Sequence, residues 1–378
     1  MMAKNNEINN LAPYAARAKD SRGRKYKIEE DPRRSVYQRD RDRIIHSTAF
    51  RRLQHKTQVF ANLGLADKAR DHYRTRLTHT IEVAQISRTI ARSLFLNEDF
   101  SEAVALAHDL GHTPFGHAGE EVLNMMMAHD GGFNHNMQSL RVIDFLEKRY
   151  PDHYGLNLTY EVREAVIKHE TDHDISIPDD FDSNENPLLE GQIVNLADEI
   201  AYNGHDIDDG LGSGLLTLEM LHDVDFLGPV ADKVEAGLSD KSEDMIRCAL
   251  VRYMVNINVL DLTTEIRKRI EDNHIESVSD ARNCPQRVIS FSEEQSQFND
   301  KLRKFLRSNM YHHARLNVMK EQSFEIISFL FSYYLEDIRR IPEGFRKKFP
   351  EVPHRRLTVD YIAGMTDRFA QNEFTRNS

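Results

Sequence analysis

Ala105-Leu106-Ala107-His108-Asp109-Leu110-Gly111-His112 is the stretch on which the reading of this chain turns. An adjacent His and Asp closing an apolar helix can bind one metal ion together, the imidazole through nitrogen and the carboxylate through oxygen and negative charge. The pair alone is weak, because His-Asp occurs by chance on many helices. Two other segments strengthen it. His79 lies upstream in the helical run Arg76-Leu77-Thr78-His79-Thr80-Ile81-Glu82-Val83, and Asp198 lies downstream in Asn195-Leu196-Ala197-Asp198-Glu199-Ile200-Ala201-Tyr202. His79, His108, Asp109 and Asp198 make a mixed nitrogen and oxygen set suited to a divalent Mn, Fe, Co, Ni or Zn ion. Positions left open for water and a phosphoryl oxygen would serve hydrolysis. The plain alternative for a single helical His among apolar residues is a hydrogen-bonded core histidine; the His-Asp pair and Asp198 outweigh it here.

The loop after the pair, Gly111-His112-Thr113-Pro114-Phe115-Gly116-His117, adds two histidines on a Gly/Pro-stiffened segment, with Glu120 three residues further on and His135 near the start of its own helix. A histidine titrating near neutrality can donate a proton to a leaving oxygen. Asp198, Tyr202 and Asp206 are spaced i, i+4, i+8 and share one helix face, a floor for a nucleotide. Arg76 and His79 are i, i+3 neighbours, which places a guanidinium where a phosphate would sit beside the metal. A second group, His169-Glu170-Thr171-Asp172-His173-Asp174, reads as the polar end of a helix with His169 at the pocket rim; another metal there is the alternative.

Periodicity predicts helices from Asp40 to about Arg52, from about Arg74 to Leu94, then one capped by Asp99 or Ser101, one capped by Asn134 and extending to about Arg149, and one from Glu161 to about His169. The Asp198 helix should end near Gly210, with Gly210, Gly212 and Gly214 forming a joint. Further helices are expected from Ser242 to about Glu271, after a capping box at Ser292-Glu293-Glu294-Gln295, from Glu321 to Asp337, and from a Thr358 cap through Ala370. Gly131-Gly132 reads as a turn and Asn62–Asp67 and 174–187 as loops. Val36, Val59 and Val288-Ile289 are the only hints of extended chain. The fold class is therefore all-α with at most one short hairpin: a basic, partly flexible arm over 1–35, a core over 36–210, and a helical C-terminal region over 211–378 packed on that core.

The chain has 378 residues and a net charge of −11, so any anion site must be local. Between Arg17 and Lys56 fourteen Lys/Arg face six Asp/Glu. This is a solvated arm or a source of arginines for a polyphosphate. Two cysteines, Cys248 and Cys284, form no CxxC, which points to a reducing, cytoplasmic setting. The N-terminus has no apolar core of a signal peptide, and no run reaches the roughly 18 apolar residues of a membrane span.

The order His … His-Asp … Asp on apolar helices resembles the HD-domain phosphohydrolases. Longer strings narrow the resemblance: Arg41-Asp42-Arg43-Ile44-Ile45-His46-Ser47, Phe50-Arg51-Arg52-Leu53-Gln54-His55-Lys56-Thr57-Gln58-Val59-Phe60, Arg74-Thr75-Arg76-Leu77-Thr78-His79-Thr80, His108 to His117, and Asp360-Tyr361-Ile362-Ala363-Gly364-Met365-Thr366-Asp367. Together they are similar to the bacterial deoxyguanosinetriphosphate triphosphohydrolase (dGTPase) family, across nearly the whole chain. The resemblance implies an HD-domain helical core and cleavage of a deoxynucleoside triphosphate (dNTP) into deoxynucleoside and intact tripolyphosphate. It implies His79, His108, Asp109 and Asp198 as metal ligands, with Mg accompanying the triphosphate. His112, Glu120 and His135 would surround the α-phosphate, and His117 would protonate the leaving 5′-oxygen. Arg76 would contact phosphate, Gln58 and Asp206 would hold the 3′-hydroxyl, and Tyr202 would leave no room for a 2′-hydroxyl. A homo-oligomer, and single-stranded DNA or a second dNTP as effector, are further implications. Glu120 stands where some relatives carry Asp, and Glu199 where animal relatives carry a phosphate-binding Lys.

Two other readings stand beside this one. A different HD phosphohydrolase (a nucleoside monophosphatase, a phosphodiesterase or an alarmone hydrolase) would release a different phosphate species. A nucleotide-binding sensor without turnover would have lost a ligand or the histidine loop, and no such loss is visible.

Overall fold

The computed structural model describes residues 10–58, 74–169 and 177–378. Among the described residues seventeen α-helices account for the architecture, and there is no strand, only three isolated bridges. No hairpin occurs among them, within the expected bound of at most one. Val36 opens a helix, and Val288-Ile289 is buried irregular chain. Val59, Phe60 and the Asn62–Asp67 stretch lie outside the described residues, as do Glu170 to Asp174.

The centre of the molecule is a packing of four helices: Val36–Ile45, Arg76–Ser93, Glu98–Ala107 and Leu189–Gly212. Their facing residues, including Ile44, Val83, Ile90, Val104, Ala107, Ile193 and Ala197, are buried in one apolar cluster. Small residues at 103, 105 and 107 let the helix carrying His108 lie against its neighbours, and the side chain of Asn97 caps that helix by accepting from the backbone of Phe100. The cap is thus earlier than Asp99 or Ser101; Ser101 is fully buried instead. The helix ends at Ala107, before Gly111. Gly111 matters for a different reason. A Cβ there would stand 2.1 Å from the backbone nitrogen of Ser139, so only glycine lets the histidine loop approach that helix.

Several boundaries differ from the periodicity. The helix expected over Asp40–Arg52 breaks at His46-Ser47, where Ser47 caps a new helix, Thr48–Arg52. The Asn134-capped helix is regular only over His135–Arg141 and continues as a π-turn, Val142–Leu146. The Asp198 helix runs two residues past Gly210, and of the three glycines only Gly214 adopts a positive φ, 71°. Ser292 caps its helix, but Gln295 does not close the box. Gln295 turns to Asn258 and Asn299, and Asp261 accepts from the Ser292 backbone. Thr358 is not a cap but a buried residue inside His354–Ala363, and Thr366 caps the last helix, Asp367–Asn377. Gly131 and Gly132 do turn the chain, with φ 85° and 75°.

A second apolar cluster joins Ala314–Glu336 to Gly116–Met126 and His354–Ala363, and a third packs Glu243–Asp272 against Gly228–Ala236. Among the basic residues of the N-terminal third, Arg22, Arg24, Arg33, Arg34, Arg39 and Arg41 all pair with carboxylates. Arg24 is buried against Asp40 and Glu30, so these charges are spent within the fold.

A histidine and carboxylate centre at the helix junction

The helices Arg76–Ser93 and Leu189–Gly212 cross the end of Glu98–Ala107, and this junction gathers His79, His108, Asp109 and Asp198. His79 Nε2 stands 2.8 Å from Asp198 Oδ1, and His108 Nε2 stands 3.4 Å from Asp109 Oδ1 and 3.9 Å from Asp198 Oδ1. His79, His108 and Asp198 each offer a ligand atom within 4.8 Å of the others'. Asp109 adjoins this trio without being part of it, its other oxygen accepting from Arg76 at 3.0 Å.

The donor set fits a divalent cation. His108 Nδ1 is 2.6 Å from the carbonyl of Ala105, so Nδ1 carries the proton and Nε2 presents its lone pair. That Nε2 is buried and has no hydrogen-bond partner. Burial pushes the His108 imidazolium below its ordinary range despite the opposing charges of Asp109 and Asp198. Burial would raise both carboxylates, but the surrounding histidines, with Arg76 at Asp109, hold both well below the usual range. The centre therefore combines the lone-pair nitrogen of His108 with anionic oxygens, and the Asp198 side chain is 30% exposed, which opens it to a ligand.

Arg76 is the unusual member. It is 2% exposed, one guanidinium nitrogen is bonded to Asp109, and its Nε and Nη2 find no partner. Unpaired buried donors are costly, on the order of 1–3 kcal/mol each and more when charged. An anion entering beside the cation centre would satisfy them. Gly116, at φ +60°, allows the histidine loop to close over Arg76, since a Cβ there would meet Nη2 at 3.1 Å.

The second cluster lies alongside. His112 Nε2 is 3.3 Å from Asp109 Oδ1, and its ring stacks on His135 with centroids 4.2 Å apart. Burial, then the Arg76 charge, push the His112 imidazolium well below its ordinary range, which keeps the ring neutral. Glu120 Oε1 accepts from the backbone and Nδ1 of His135 at 2.8 and 2.9 Å, and Glu120 Oε2 is 3.6 Å from His117 Nδ1. Although burial favours the neutral acid, the neighbouring His117 and the bonds from His135 hold Glu120 ionised. His117 is the exposed member, at 66% of its side chain.

On the Asp198 helix, Tyr202 and Asp206 lie in line as their spacing predicts. Tyr311 closes over both: it donates to Asp206 Oδ2 at 2.7 Å and bonds the Tyr202 hydroxyl. Burial lifts Asp206 well above the usual carboxylate range, and its Oδ1 is unpartnered. Gln58 is buried with a free Oε1, its backbone bonded to the carbonyl of Arg74. His169 joins the centre more closely than a rim residue, 3.7 Å from Asp198 Oδ2, whereas His173 lies outside the described residues. Glu199 has Arg303 3.9 Å away as an ion-pair partner.

Sequence reasoning passed over Tyr311, His205, Lys56 and Asp367. Buried Asp367 accepts from the backbone and hydroxyl of Thr57 and from the backbone of Phe115, which holds φ 64°. Lys56 Nζ donates to the carbonyls of His112 and Ala363. These two residues tie the histidine loop to the Lys56-Thr57 segment and to the C-terminal segment of Ala363 and Asp367. Their spacing carried no signal, because the partners lie 56 to 310 residues away.

Comparison with known proteins agrees with this layout. An HD domain matches residues 76–203, and a phosphohydrolase-associated domain matches residues 289–376. Among curated relatives named deoxyguanosinetriphosphate triphosphohydrolase-like protein, that of Geobacter metallireducens is 45% identical over 98% of this chain and 95% of its own length. That of Thiobacillus denitrificans is 46% identical over 97% and 96%, and that of Nitrosomonas europaea 45% identical over 97% of each.

Proposed function

This chain belongs to the deoxyguanosinetriphosphate triphosphohydrolase-like family of HD-domain phosphohydrolases, and from that premise we propose that it is a metal-dependent dNTP triphosphohydrolase. The reaction is dNTP plus water to deoxynucleoside plus tripolyphosphate, with dGTP the family-typical substrate. The observation that carries the reading is the buried Arg76, whose Nε and Nη2 lack partners beside the His79, His108 and Asp198 cluster. A buried cation with open donors next to a cation-binding centre calls for a polyanion.

In this reading His79, His108, Asp109 and Asp198 hold a divalent ion. An ion held there would supply Lewis-acid polarisation of a phosphoryl oxygen and activation of water. Arg76 neutralises charge on the phosphate, and His112 lines its place with a neutral ring. His117, exposed in the first turn of the Gly116–Met126 helix, reaches the departing 5′-oxygen and protonates it. Glu120 orients His117 and is itself fixed by His135. Asp206 and Gln58 each present a free oxygen to the 3′-hydroxyl. Tyr202, held by Tyr311, fills the space beside the sugar and disfavours a 2′-hydroxyl.

The test is hydrolysis of each dNTP with Mn²⁺ by the wild type and by His108→Ala and Asp109→Ala, each checked for folding by circular dichroism. Activity abolished in both folded variants is expected. Retained activity in both would sink the proposal.

A further inference from the structure

His79 is tied from behind by an arrangement the reaction itself does not use. Its Nδ1 faces His205 Nδ1 at 3.2 Å, and His205 Nε2 is hydrogen-bonded to the carboxylate of Glu82. The two rings meet edge to face, with centroids 5.1 Å apart. His79 and His205 are both buried, while Glu82 reaches solvent at the outer end and has Arg74 at 3.7 Å. Glu82 is i+3 from His79 on one helix, and His205 is i+7 from Asp198 on the other, so both links share the faces that carry the ligands.

Hydrogen-bond arithmetic orders the protons along this chain. An ionised carboxylate only accepts, so His205 Nε2–H donates to Glu82. A neutral imidazole has one donor and one acceptor nitrogen, so His205 Nδ1 accepts and His79 Nδ1–H donates to it. His79 Nε2 is then left with its lone pair, 2.8 Å from Asp198 Oδ1. Two lone-pair atoms that close repel one another, and a cation between them turns the repulsion into ligation. His108 reaches the same tautomer by a simpler route, through the carbonyl of Ala105.

We propose that Glu82 and His205 form a two-link hydrogen-bond chain that fixes His79 in the tautomer and orientation that ligate metal, which makes His205 a positioning residue for the centre. The inference rests on the reading of His79, His108 and Asp198 as metal ligands. Partners behind a metal-bound histidine commonly govern affinity by about 10–100-fold.

The experiment is Mn²⁺ titration of the metal-free full-length protein without nucleotide, free Mn²⁺ being read by electron paramagnetic resonance. His205→Phe keeps the volume and removes the acceptor; His205→Asn places an amide oxygen near the position of Nδ1. Glu82→Ala, at the exposed end, keeps the test decisive if a His205 variant fails to fold. Thermal midpoints of the metal-free proteins report folding. The expected result is an affinity loss of about 10–100-fold for His205→Phe, a loss in the same direction for Glu82→Ala, and near wild-type binding for His205→Asn. Wild-type affinity in His205→Phe or in Glu82→Ala, or equal losses in Phe and Asn, would overturn the chain. Asp198→Asn separates the two layers: if it binds Mn²⁺ as tightly as the wild type, the metal reading itself falls and the chain with it.

Discussion

Glu190 sits at 0% exposure on the Asp198 helix, and replacing it by Gln should change how stability depends on pH. Its Oε1 accepts from the backbone of Ala16 at 2.8 Å and of Asn97 at 2.9 Å, while Oε2 has no partner. One carboxyl thus joins the Asp198 helix, the cap of the His108 helix and the N-terminal segment. Burial pushes it up from 4.5 to about 7, against the opposing backbone bonds. Because the folded-state value is raised, the folded protein holds more protons than the unfolded chain between these two values, and stability falls as pH rises through that window. At about 1.4 kcal/mol per pH unit, the full penalty above pH 7 is about 3 kcal/mol. Gln keeps the accepting oxygen and cannot ionise. Urea unfolding at intervals from pH 4.5 to pH 8 should therefore show Glu190→Gln gaining on the wild type by about 3 kcal/mol across the range, with most of the gain made by pH 7. Parallel profiles for the two proteins would refute the reasoning, because they would mean that Glu190 ionises as freely in the fold as out of it.

Arg76→Lys should lower kcat/KM for dNTP by about 10²-fold, since an ammonium lacks the rigid planar fork that holds Asp109 with one nitrogen and aims the others at a phosphate; steady-state kinetics checks this. Asp367→Ala removes the acceptor of three buried hydrogen bonds and should cost about 3 kcal/mol in urea unfolding, after allowing for relief from burying the carboxylate. With Phe115 released, kcat should fall at least about tenfold by the positioning argument. Chelation should abolish activity, and Mn²⁺ should restore it and raise the thermal midpoint, because the ion binds only the folded state.

The gathering of His79, His108, Asp109 and Asp198 was legible because these residues sit on strongly periodic helices with signals of their own: an adjacent His-Asp pair, and the i, i+4, i+8 line of Asp198, Tyr202 and Asp206. Caps at Asn134 and Ser292 were legible for the same reason, since the interaction is complete within three residues. What escaped the sequence is what the tertiary fold adds. Thr358 looks like a cap, yet packing buries it inside a helix, and Thr366 takes that role for the helix that follows. Tyr311 reaches Asp206 across 105 residues, and Asp367 reaches Phe115 across 252. His205 could have been found, because it lies two turns after Asp198 on the same face. Its importance shows only once Glu82 on another helix is seen to hold it.

Product identification tests the central claim most directly. The purified protein is incubated with each dNTP and with GTP, with Mn²⁺ and with Mg²⁺, and the products are separated by ion exchange. Deoxynucleoside together with intact tripolyphosphate, and little or no turnover of GTP, is the predicted result. Pyrophosphate, orthophosphate or no product under any condition would contradict it.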